Sequence, residues 1–210
     1  MKFTTSLLAV ALASIAPLAT AQTTTELSIT GNIFPGACNV VLGNEGIADL
    51  GTINTRDLNE NSVTDLPPVT LPLTVACGSA VRFAFQGVDN TNSTDAVGRY
   101  GLGLTPENEK IGDAQVNLLA VTLDGDEGYK TNSADNGQTW TVSGAGIHHD
   151  ISPAHLRGYA KEAGVTTGPA PTAALQGTLE VKARISPANT LTLDNDVQIA
   201  GNVALVLFYQ

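Results

Sequence analysis

The sequence predicts an all-β chain folded as a sandwich, on three observations. Short segments alternate apolar and polar residues with period two. Turns rich in Gly, Asn and Pro separate those segments. Charge is low, at 14%, while Thr, Gly, Asn, Val and Leu are abundant. With 210 residues the chain suffices for one domain of ordinary size. The 42% apolar fraction is above that of a disordered chain. The 21 glycines follow no fixed short period, which excludes collagen. Ten basic and twenty acidic residues give a net charge of −10. A surface that acidic repels phosphate backbones, so neither nucleic acid nor an anionic membrane is expected as a partner.

Residues 1–21 read as a signal peptide. Lys2 is their only charge, residues 7–16 (LLAVALASIA) form an apolar run too short to span a bilayer, and Ala19-Thr20-Ala21 fits the cleavage pattern. Next comes residues 27–33 (LSITGNI), with Leu27, Ile29, Gly31 and Ile33 on one face of a strand and Ser28, Thr30 and Asn32 on the other. Pro35-Gly36 breaks it just before Cys38. Further strands are expected at residues 47–53, 69–77, 81–88, 116–123, 175–185 and 197–209. Pro72, inside the second of these, calls for an irregularity or an unneeded N–H. One short helix is expected, capped by Ser152, begun by Pro153 and ended by Gly164, with Leu156, Tyr159, Ala160 and Ala163 on one face. In an exported chain, Cys38 and Cys77 allow a single disulfide. Closing about 40 residues, it contributes roughly 4 kcal/mol by loop entropy.

The two ends carry the functional signal. In the last segment Val203, Leu205, Leu207 and Tyr209 share one face, and Ala204, Val206 and Phe208 the other. A terminal strand apolar on both sides needs cover on its faces or its edge. At the opposite end, residues 27–33 lie outside the disulfide loop, so the bridge does not tie them down. An alternating strand at one end and an apolar strand at the other predict head-to-tail assembly, in which one copy's strand completes the next copy's sheet. Donor and acceptor differ, so the contact grows an open filament.

At these residues the chain resembles the pilin subunits of chaperone–usher fimbriae. The resemblance rests on the Ala-x-Ala signal peptide, L-S-I-T-G-N-I before a Cys, the Cys38 to Cys77 spacing, L-P-L-T-V-A-C, and an apolar end in Tyr209-Gln210. It implies an incomplete immunoglobulin-like β-sandwich lacking its last strand, with residues 22–34 as an N-terminal donor-strand extension and residues 35–210 as the pilin domain. Leu27, Ile29, Gly31 and Ile33 would be the inserting positions, Gly31 taking the place of the family's glycine. Val203, Leu205, Leu207 and Tyr209 would line the acceptor and chaperone edge, and Cys38 and Cys77 would form the family's bridge. The implied partners are a periplasmic chaperone, an outer-membrane usher and neighbouring fimbrial subunits, with delivery through the periplasm to a cell-surface fimbria. No cofactor, metal, catalysis or direct membrane insertion is implied. Val197 departs from the pattern, standing where pilins often carry a glycine near the end. The extension points to a shaft or adaptor subunit rather than a tip adhesin.

Other readings stay open. Residues 26–34 could be an ordinary strand of a self-contained sandwich. Ser133, Asp135, Gly137, Thr139 and Trp140 resemble the Asp-box, S-x-D-x-G-x-T-W, of sialidases, where the motif braces a tight hairpin. It occurs here once, which predicts a braced hairpin; an exported carbohydrate-binding module is the rival that would use it. His148, His149, Asp150 and His155 form the only cluster that would serve a small periplasmic hydrolase, at a spacing that matches no strong motif. Residues 124–128 (DGDEG) are acidic but lack EF-hand spacing and read as a turn.

Overall fold

The structure, a computed structural model, describes residues 37–142 and 151–210. Those residues belong to one compact unit. Its strands are β1 (Cys38–Leu42), β2 (Thr64–Asp65), β3 (Val69–Val81), β4 (Phe83–Asp89), β5 (Tyr100–Gly101), β6 (Gly112–Leu123), β7 (Asp126–Glu127), β8 (Tyr129–Ser133), β9 (Thr141–Val142), β10 (Leu156–Ala160), β11 (Thr172–Ile185) and β12 (Val203–Tyr209). They form two antiparallel sheets. The first runs β1-β3-β11-β6-β5, with β2 beside β11 and β7 beside β6; the second runs β12-β4-β10-β8-β9. The chain is all-β, and the helical pieces among the described residues are 3-10 turns of three or four residues.

Alternation builds the interior. In β3, Leu71, Leu73 and Val75 are 4%, 1% and 0% exposed, while Thr70, Pro72 and Thr74 face out. They pack with Phe83 and Phe85 of β4, Leu118 and Val121 of β6, and Leu175 and Leu179 of β11. Pro72 fits because β1 has ended: its pairing with β3 stops at Leu42↔Leu73, so no ladder bond from β1 is lost. The chain turns there at Gly43, where a Cβ would lie 2.6 Å from the Pro72 ring. Cys38 and Cys77 are direct register partners on β1 and β3 and are joined by a disulfide.

Two expectations are corrected. Residues 47–53 form no strand. Ala48, Leu50 and Ile53 do pack on the core clusters, but Gly51 takes φ +68° and donates its N–H to Asp49 Oδ1 at 2.8 Å, a local turn that interrupts any ladder. The segment from Ser152 to Gly164 holds no helix; it contains β10. Ser152 Oγ accepts the N–H of Ala154 at 3.1 Å, so the predicted cap serves a turn, and Leu156–Ala160 then pairs with β8 and β4. All five residues are buried, which erases the period that separates strand from helix. The last strand also begins later than its apolar run, at Val203.

In an immunoglobulin sandwich, strands A-B-E-D make one sheet and C-F-G the other. Taking β1, β3, β4, β6, β11 and β12 as A to F in chain order, the first sheet is A-B-E-D and the second sets C beside F. Strands β8 to β10 are inserted between D and E and extend the second sheet from the far side of β4. On the other side of β12, where G belongs, no strand pairs among the described residues. The sandwich is therefore immunoglobulin-like and incomplete across those residues.

Candidate functional site

The candidate site is the groove beside β12. The seven residues of β12 pair one to one with β4, from Val203↔Asp89 to Tyr209↔Phe83. Both ends are pinned. Asn90 donates its backbone N–H to the Asn202 carbonyl at 3.0 Å and its side-chain amide to Asn202 Oδ1 at 2.8 Å. Gln210 donates its N–H to the Arg82 carbonyl at 3.0 Å. Between these pins Leu205 and Leu207 pack against the core yet stay only half-buried, and Val203 and Tyr209 are 37% and 38% exposed. Across the gap, the inward residues of β1 behave alike: Val40 and Leu42 reach the core and remain half-buried. The contrast is with β3, whose inward residues are buried; between β1 and β12 no strand intervenes among the described residues.

That gap is an apolar groove of about 1050 Å³. Leu42 of β1, Val203 and Leu205 of β12, and Leu71, Val116 and Leu179 of the core line it, together with residues from the connecting segments 46–58 and 191–201. At its opposite end the two sheets touch: Cys38 donates its backbone N–H to the Tyr209 hydroxyl at 3.0 Å. Under β4 the fit is tight. Gly87 faces Leu205 in register, and a Cβ on Gly87 would stand 1.8 Å from the Tyr100 hydroxyl. Burial, and then the nearby Asp89 charge, push the Tyr100 phenol well above its ordinary range. For Asp89, burial raises the pKa, but hydrogen bonds from Thr91 and Gly101 outweigh it and hold the carboxyl below its ordinary value.

The predicted acceptor residues Val203, Leu205, Leu207 and Tyr209 thus share the inward face of an edge strand. The predicted donor residues Leu27, Ile29, Gly31 and Ile33 lie outside the described residues, as do His148, His149 and Asp150. His155 bridges back to Ser152, and among the described residues no group of three His, Cys, Asp or Glu could hold a metal. Sequence reasoning missed the second wall, β1, although Cys38-Asn39-Val40-Val41-Leu42 carries the alternation that would have shown it. It also missed Gly87 and Tyr100, whose contact no local pattern announces.

The Asp-box-like hairpin is braced by its own side chains. Asp135 Oδ1 accepts the Ser133 hydroxyl at 2.7 Å and the Thr139 N–H at 2.9 Å. Gly137 donates its N–H to Ser133 Oγ at 2.8 Å, and Trp140 donates its indole N–H to the Gly137 carbonyl at 3.1 Å. The turn itself needs Asn136 and Gly137 at φ +59° and +91°. Hydrogen bonds from the Thr139 hydroxyl, the Thr139 amide and the Ser133 hydroxyl hold the Asp135 carboxyl down to about 2.

A family described as "Protein of unknown function (DUF1120)" matches residues 27–99, a stretch that includes the alternating segment, both cysteines and the strands β1 to β4. The chain is also similar to Protein GltF of Escherichia coli strain K12, at 26% identity over 244 residues covering 96% of this chain and 94% of that protein.

Proposed function

We propose that the protein is a structural subunit, shaft or adaptor, of a surface fimbria, and that it polymerises by strand donation. In this reading it is exported by residues 1–21, held by a periplasmic chaperone, passed to an outer-membrane usher and joined to neighbouring subunits. The observation that carries it is the apolar groove flanked by the half-buried inward faces of β1 and β12, where an immunoglobulin sandwich has its seventh strand. A strand of seven residues spans about 23 Å, so residues 27–33 match the length of β12. Burying Leu27, Ile29 and Ile33 in a neighbour contributes about 1.5–3 kcal/mol each, roughly 5–9 kcal/mol before ordering costs. Ladder bonds along the free edge of β12 add to this and set the register. The work of such a subunit is mechanical, and no side chain in the groove is asked to do chemistry.

The test is assembly in cells. Co-expressed with its chaperone and usher, the full chain should appear as extracellular polymer. A variant lacking residues 22–34 should accumulate as a soluble chaperone complex and form none. Polymer formed equally well without residues 22–34 would overturn the reading.

A further inference from the structure

A second depression, of about 470 Å³, lies where the braced hairpin meets the end of β12. It shares no lining residue with the groove. Trp140 lines it and stands against Gly158 and Gly168: a Cβ on either would come within 3.0 Å or 2.8 Å of the indole. The indole N–H is committed to the Gly137 carbonyl, so the ring is fixed in place. Around it stand the exposed hydroxyl and amide side chains of Gln138, Thr139, Thr166 and Gln210. The side chain of Gln210 lies over Gly137, where a Cβ would be 2.3 Å from its amide oxygen.

Arg82 completes the depression. One guanidinium nitrogen donates to the Pro169 carbonyl at 2.5 Å, which orients the group. No carboxylate pairs with it among the described residues, whereas Arg99, Lys110, Lys161, Lys182 and Arg184 all have acidic partners. The one carboxylate of the hairpin, Asp135, is taken up by Ser133 and Thr139. The chain's net charge of −10 opposes an anion at long range, but beyond about 8 Å that field is screened at physiological salt. At contact, the remaining donors of the guanidinium match a carboxylate.

We propose that this depression binds an acidic saccharide, a pyranose whose C–H face lies on Trp140 and whose carboxylate meets Arg82. Fixed aromatic surface plus convergent hydroxyl and amide groups is the chemistry a sugar ring requires, and the guanidinium selects the acid. If the subunit also polymerises as proposed above, the site repeats along the fibre, and weak single contacts gain by avidity. The site itself does not depend on that reading, because its binding is measured per chain.

The test uses the full chain and titrates D-glucuronate, N-acetylneuraminate and, as the uncharged ring, D-glucose, read by saturation-transfer NMR. Saturable binding of at least one acid is expected, with D-glucose about tenfold weaker or more. Arg82→Gln should abolish the preference for the acid, Arg82→Lys should retain part of it, and salt should weaken it. If Arg82→Gln disturbs folding, as shown by its Tm, Gln210→Ala serves instead and should weaken binding of the acid several-fold. Binding of neither acid, equal binding of D-glucose, or full binding by Arg82→Gln would overturn the proposal, whether or not the chain forms fibres.

Discussion

At the scale of single residues, two positions test the account without reference to assembly. Gly87 has no room for a methyl group, because the Tyr100 hydroxyl occupies that space and the Tyr100 ring is buried behind it. Gly87→Ala should therefore destabilise the fold by about 1–3 kcal/mol in chemical denaturation, a cost of overpacking. A neutral result would mean that Tyr100 does not pass beneath β4 as described. Asp135 gives a pH prediction. Its carboxyl is held at about 2 against an ordinary 3.8, so the native hairpin favours the charged form. The stability it contributes is present above the ordinary value and lost as pH falls toward 2. Asp135→Asn should lower Tm at pH 6, and its difference from the parent should shrink as pH drops from 4 to 2. A constant difference across that range would contradict the bracing role.

At the scale of elements, much was legible because alternation needs only one buried face to show. β3, β4, β6 and β11 sit where they were expected, within a few residues at their ends, and β12 begins six residues late, at Val203. β10 was not legible for the opposite reason. It is a central strand with both faces covered, and Ser152-Pro153 ahead of it imitates a helix start. Residues 47–53 show the converse failure: their alternation reflects burial, but the turn at Gly51 denies them a partner strand. The inward residues of β12 were legible one by one; the groove was not, since it exists only when β1 and β12 face each other across two sheets. The element-scale prediction follows from that geometry. Leu205→Asp or Leu207→Asp puts a charge on the inward face of β12 and should lower the yield of folded protein. Val41→Asp, on the outward face of β1 at 52% exposure, should leave it near normal. Equal yields for all three would remove the inward face of β12 from the argument.

At the scale of the whole molecule, the described residues form a two-sheet sandwich in which no further strand pairs with the outer edge of β12. β1 pairs only with β3 among the described strands, so its place depends on the Cys38–Cys77 bridge and on the Tyr209 contact. The bridge spans 39 residues of sequence and contributes roughly 4 kcal/mol by loop entropy. Replacing both cysteines by Ser should cost stability of that order and expose the groove wall, read as increased binding of a hydrophobic dye. The proposed sugar site and the proposed strand site lie at separate places on this body, so loss of one should leave the other intact.

The central claim is that the interior of this body is completed by a strand from outside it. The most direct measurement is titration of the chain lacking residues 22–34 with a peptide spanning residues 22–34, followed by Tm and by stoichiometry. The account predicts a one-to-one complex with a raised Tm, weakened when Ile29 in the peptide is replaced by Asp. A truncated chain that is already a stable monomer and takes up no peptide would contradict it.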